Sequence, residues 1–191
     1  MPPSPASLSS ALLTLRVELL NIKPAIWRRL QVRGSMSLAS LHTTLQLAFG
    51  WTNSHLHSFR LRGNEYTNAT EELDDLQMLP ERGQTLARVL GADEREFHYL
   101  YDWGDGWDHH VVIETAGALR EGWSYPLCIG GERACPPEDV GGAGGYEDFL
   151  EALRDPEHEE HENYLRWAGG VFDPEGFDVN ATNRALEKLR R

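Results

Sequence analysis

The 191-residue chain sets 18 Lys and Arg against 30 Asp and Glu, a formal net charge of -12, and is 40% hydrophobic and 25% charged. Such a length can bury a core without help from metal or disulfide, the composition is that of a globular protein, and no apolar run approaches the roughly 20 residues of a membrane span. The charge disfavours general affinity for phosphate backbones, which needs clustered Lys and Arg to displace counterions.

Residues 1–10, with no basic start of an export signal, read as a flexible tail, and the expected location is cytoplasmic. In "LLTLRVELLN", Leu13, Leu15, Val17 and Leu19 alternate with Thr14, Arg16 and Glu18, the pattern of a half-buried strand. A turn at Lys23-Pro24 and a second strand from Ile26 to Val32 complete an antiparallel hairpin. Ser37 can cap a helix whose apolar face carries Leu38, Leu41, Leu45, Ala48 and Phe49, and Gly50 can end it. "HLHSFRLRG" alternates again, placing His55, His57, Phe59 and Leu61 on one face of a strand. The acidic run 68–83 reads as a surface loop, and Thr85 to Leu90 as a short helix. Two strands follow, "EFHYLYD" and "WDHHVVIE", joined through Gly104-Asp105-Gly106.

From Gly117 to Gly145 glycine and proline dominate without a period, which reads as a loop; segments that long inside a compact domain tend to be functional. Three helices are expected after it, with Pro156 near the start of the second and Asp178 or Asn180 capping the third. The expected organisation is therefore a single domain over 11–191: sheet core 11–116, Gly/Pro-rich loop 117–145, helical part 146–191. The elements run β-β-α-β-β-β, with a short helix before the last two strands, an antiparallel hairpin at the start and the first helix covering the sheet.

Chemistry-bearing residues concentrate in "YLYDWGDGWDHH", residues 99–110. With Asp105-Gly106 at the centre of a two-residue primed turn, Asp102 falls opposite His109, setting a carboxylate against an imidazole; a four-residue loop sets Asp102 opposite Trp107 instead. The three-residue spacing of Asp102, Asp105 and Asp108 does not match a calcium loop, and no phosphate loop, nucleophile elbow or His-Glu-x-x-His is present. Cys128, Cys135, His158 and His161 together offer two thiolates and two imidazoles, a possible zinc set whose cysteine spacing differs from common zinc knuckles. A nucleophilic Cys135 would need a base such as His109.

At "IKPAIWRRLQV", "YLYDWGDGWDHHVVIE", "CIGGERACPPEDVGGAGGYEDFLEAL" and "DPEHEEHENYLRWAGGVFDPEGFDVNATNRAL", the chain closely resembles the plasmid pRiA4b ORF-3-like family over residues 12 to 190. The resemblance implies an α+β fold with a mixed sheet and one main helix, somewhat like a β-grasp. It brings no assigned activity, although members include insertion-element passenger proteins labelled resolvase-like. It also implies that Trp27, Arg28, Asp102, Gly104, Asp105, Gly106, Trp107, His109, Cys135, Pro136, Pro137, Glu138, Asp139, Gly141, Gly142 and Tyr146 occupy motif positions.

Three functions follow as expectations. The first is a non-enzymatic binding module for a protein or small molecule, with Trp27, Arg28, Asp102, Asp105, Trp107, His109, Glu138, Asp139 and Tyr146 as binding residues and Trp103 and Trp123 adding contact area. The second is a zinc or manganese enzyme, such as a hydrolase, built on Asp102, His109 and the Cys128 to Asp139 loop. The third is nucleic-acid binding through Arg16, Arg28, Arg29, Arg33, Arg60 and Arg62.

Overall fold

The computed structural model describes residues 8–69, 77–91 and 94–190. Residues 1–7 of the expected tail and 70–76 of the acidic loop lie outside the described residues.

Strands β1 (Ala11–Leu19) and β2 (Ile26–Arg33) pair antiparallel, with Leu15 opposite Leu30. Leu13, Leu15, Val17 and Leu19 are at most 1% exposed, so the alternation does place one face of β1 in the core. Helix α1 (Leu38–Phe49) starts where the Ser37 side chain accepts from the Ser40 N–H, and stops where Gly50 takes a left-handed φ of 89° and donates to Gln46. The five residues of its expected apolar face are buried in the same cluster as the β1 leucines, so α1 lies over the sheet.

The chain continues through β3 (His57–Leu61), β4 (Asn64–Thr67), β5 (Leu79–Pro80), α2 (Leu86–Val89), β6 (Glu96–Tyr101), β7 (Trp107–Ala118) and β8 (Leu127–Glu132). It closes with α3 (Gly142–Arg154), α4 (His161–Trp167), α5 (Val179–Leu186) and a 3-10 turn, Glu187–Leu189. The eight strands form one sheet in the order β5-β4-β3-β6-β7-β1-β2-β8; β4 and β5 run parallel and the other neighbours antiparallel. The fold is α+β with a mixed sheet. No helix among the described residues is long and apolar enough to cross a membrane.

Three expectations are corrected. First, β8 occupies part of the segment read as loop: "LCIGGE" lacks alternation and is a strand because it pairs with β2, Gln31 opposite Leu127 and Trp27 opposite Glu132. Second, the β6–β7 hairpin has neither expected register. Five residues, Asp102 to Gly106, connect Tyr101 to its partner Trp107, which sets His109 opposite Tyr99. Asp102 adopts a φ of 55°, and its Oδ1 accepts from Gly104 N at 2.9 Å, so it closes the loop and does not continue the strand. Third, α4 begins at His161, a turn beyond Pro156.

The C-terminal helices share the core through Tyr146, Phe149, Leu150 and Leu186. Asp178 caps α5 by accepting from Asn180 N and Ala181 N at 2.8 and 3.2 Å. On the other side, Asn183 both accepts from Cys128 N and donates to Cys128 O, which ties α5 to β8.

Candidate functional site

Five of the nine candidate binding residues, Arg28, Asp102, Trp107, His109 and Tyr146, are inside the molecule. Trp107 is 2%, Tyr146 1% and His109 0% exposed. Arg28 is equally enclosed: its Nε donates to Ala48 O, Nη1 to Trp27 O and Glu132 O, and Nη2 to Arg133 O, all at 2.8–2.9 Å, with the guanidinium 4.3 Å from the Phe177 ring centroid. Such a side chain joins β2, β8 and the end of α1, and burial lowers its pKa from the ordinary value. His109 packs edge-on against Phe49 and Trp51 and lies 3.1 Å from the Tyr99 carbonyl through Nδ1; burial pulls its pKa down to about 4. It faces Tyr99 and not Asp102, because the five-residue loop shifts the register. Trp27 stands half-buried on the other face of β2, near the guanidinium groups of Arg16 and Arg29.

The two histidines expected on one strand face part company. His57 is buried and stacks on His42 with ring centroids 3.5 Å apart, its Nε2 at 2.9 Å from Glu81. His42 contacts the Tyr99 hydroxyl at 2.8 Å and Asn53 Oδ1 at 2.5 Å, and burial lowers its pKa to about 4. His55 precedes β3 in a bend and points elsewhere.

What His55 points at is the seam between the hairpin and the Cys-Pro-Pro-Glu-Asp loop, which do meet. Trp51 Nε1 donates to Pro136 O at 3.0 Å, and Gly141 N donates to Asp105 Oδ2 at 3.1 Å. A Cβ on Gly142 would stand 2.5 Å from Asp105 O, and its φ is 70°, so glycine is required for this approach. Glu138 is held by Thr52 N at 2.7 Å, Thr52 Oγ1 at 3.0 Å and the Tyr101 hydroxyl at 3.1 Å. Burial first, then the Glu138 carboxylate, pushes the Tyr101 pKa up to about 12, which keeps that hydroxyl a donor.

Around His55 Nε2 stand Asp139 Oδ1 at 2.9 Å, Asp102 Oδ2 at 3.6 Å and Glu138 Oε2 at 3.7 Å. The nitrogen is buried and makes no aligned hydrogen bond, even to Asp139 at 2.9 Å. Proximity without alignment is what atoms show when their lone pairs face a common point and not one another. Ligand atoms of His55, Asp102 and Asp139 all lie within 4.8 Å of one another. Two ligand atoms bound to one ion at about 2.0–2.2 Å stand about 3–4 Å apart, so small side-chain movements would close the set. An imidazole carries at most one positive charge against three carboxylates, and among the described residues no Lys or Arg forms an ion pair with any of them. Asp102 and Asp139 both hold positive φ, at 55° and 58°, a backbone state that aspartate tolerates in turns.

The Cys128, Cys135, His158 and His161 set is not assembled; the His55 cluster is the one such group among the described residues. Cys128 Sγ lies 3.4 Å from Gly130 O on β8, His158 Nδ1 accepts from Glu160 N, and His161 Nδ1 lies 2.8 Å from Ala152 O. Each atom has a local commitment. Burial also holds the Cys135 thiol well above its ordinary pKa, the reverse of an activated nucleophile. Of the arginines considered for nucleic acid, Arg16 pairs with Glu18, Arg29 with Glu114 and Arg60 with Asp108.

The model of the family described as plasmid pRiA4b ORF-3-like protein matches residues 11–181. An uncharacterized protein, y4hQ, of Sinorhizobium fredii (strain NBRC 101917 / NGR234) is 39% identical over 182 residues, which cover 94% of this chain and 93% of that one. A crystal structure of a protein of unknown function, MM3350, from Methanosarcina mazei Go1 superposes with a TM-score of 0.82 at 35% identity, covering 89% of this chain and 96% of that chain.

Proposed function

We propose, from the premise that this chain belongs to the plasmid pRiA4b ORF-3-like protein family, that it is a cytoplasmic binding module that takes up a divalent cation at the hairpin–loop seam. The ββα start and its following strands serve, in this reading, as a β-grasp-like scaffold for that seam. The observation that carries the proposal is the convergence of His55, Asp102, Glu138 and Asp139 from three separate stretches of chain onto one buried imidazole nitrogen. A mixed nitrogen and oxygen donor set suits zinc through the imidazole and manganese through the carboxylates. Glu138, already gripped by Thr52 and Tyr101, has the orientation that outer partners confer on a ligand. The bound ion would replace repulsion among three carboxylates with attraction and tie the loop to the hairpin.

A second reading, a metal-dependent hydrolase, is favoured by one feature. The Asp139 side chain is 69% exposed, so the outward side of a bound ion would stay open to water, as catalytic centres require.

Calorimetric titration of chelator-treated protein with manganese and zinc chloride tests both. One equivalent should bind, and His55→Ala and Asp102→Asn should each weaken binding by about 100-fold. Binding unchanged in both variants would refute the site. Hydrolysis of a simple phosphate or carboxylate ester by the loaded protein alone would favour the second reading over the first.

A further inference from the structure

A second site, sharing no residue with the seam, opens where the end of β2, the start of α1, the approach to β8 and the C-terminal 3-10 turn come together. It is a cleft of about 470 Å³ whose polar lining includes Arg33, Ser35, Ser37, Ser40, Thr44 and Lys188. In a chain with 30 acidic residues, no Asp or Glu lines it. Among the described residues neither Arg33 nor Lys188 forms an ion pair; the contact Arg33 does make is with the Tyr125 ring, 5.7 Å from guanidinium carbon to centroid. The first turn of α1 contributes the positive end of a 12-residue helix with no acidic residue in it. Ser37 Oγ accepts from Ser40 N and donates to Ser40 Oγ, which leaves the Ser40 hydroxyl proton to donate.

The observation that points to a ligand is the charge of this lining: in a chain of net charge -12, two cations without a carboxylate partner stand at one cleft, beside the Tyr125 ring. We propose that the cleft binds a small phosphomonoester: Arg33 and Lys188 face the phosphate charge, the Ser35 and Ser40 hydroxyls donate to its oxygens, and Met36, Pro126 and Leu189 receive the organic part. The volume is that of a small-molecule site, and the net charge of -12 opposes a long phosphate polymer, which selects the monoester over nucleic acid.

The test is calorimetric titration of the full chain with three probes: inorganic phosphate, phenyl phosphate and a short oligothymidylate. Phenyl phosphate should bind saturably, at one equivalent and more tightly than inorganic phosphate. Arg33→Gln combined with Lys188→Gln, both at accessible positions, should abolish binding with an unchanged circular dichroism spectrum. Absence of saturable phenyl phosphate binding, or binding indifferent to the charge variant, would overturn the proposal. Tighter binding of the oligothymidylate would overturn it in favour of nucleic acid, and tighter binding of free phosphate would overturn the monoester assignment.

Discussion

The interior beneath α1 and the seam beside it are both rich in histidine, carboxylate and aromatic side chains, yet they are organised in opposite ways. In the interior, charged groups are matched against neighbours, Arg28 against four carbonyls and Glu81 against His57, and His42 bonds Tyr99 and Asn53, while the atoms left without a partner there, such as His57 Nδ1 and His109 Nε2, belong to neutral or singly committed rings. At the seam, three carboxylates are gathered on one imidazole, and Asp139 reaches into solvent. Matching of the first kind specifies a core, because an unpaired polar group inside costs more than a paired one gains. An unmatched excess of one charge, held by an ordered shell, does the core no service and is what a cation site needs before its cation arrives. The difference teaches that residue type alone does not mark function here: Arg28, His109 and Trp107 carry motif positions and structural duty together.

Breaking the interior should therefore cost stability and leave cation binding readable in whatever remains folded. The largest effect is expected for Trp107→Ala, about 3–5 kcal/mol of unfolding free energy by urea titration, because the indole is 2% exposed in a packed aromatic cluster with Trp51. A loss below about 1 kcal/mol would return Trp107 to the surface and to ligand contact.

Acid should come next. His42 and His109 have folded pKa values lowered to about 4, below the ordinary value near 6.5, so the unfolded chain binds more protons between those limits. Stability present above pH 6.5 should fall as pH drops towards 4, by up to about 3 kcal/mol per pH unit while both groups contribute. Replacing His109 with Leu should remove about half of that slope in denaturant titrations at stepped pH; an unaltered slope would show that His109 is not held neutral.

The seam should respond in the opposite sense. Asp102→Asn keeps an oxygen for Gly104 N and tolerates the left-handed backbone, so without metal its stability should lie within about 1 kcal/mol of the parent, or above it as repulsion is relieved. With manganese or zinc present, the parent should gain melting temperature and the variant should not. Equal gains would sever Asp102 from the cation.

The elements legible in the sequence were those that local chemistry decides. The β1 alternation, the Ser37 cap and Gly50 stop of α1, and the Asp178 cap of α5 each rest on residues within one turn or strand. Strand β8 escaped because its conformation comes from pairing with β2, almost a hundred positions away along the chain. The hairpin register escaped because Asp102 entered the loop at positive φ, displacing the two-residue turn that Asp-Gly suggested. At the seam, Asp102, Glu138 and Asp139 were legible as acids in motif positions, whereas His55, read as one of a strand pair, turns away from His57 only because the bend before β3 reorients it.

The measurement closest to the central claim is anomalous diffraction at the manganese and zinc edges from crystals soaked in each metal. The account predicts one strong peak about 2 Å from His55 Nε2 and within bonding distance of the Asp102 and Asp139 carboxylates. A peak beside Cys128 or His161, or none at all at saturating metal, would contradict it.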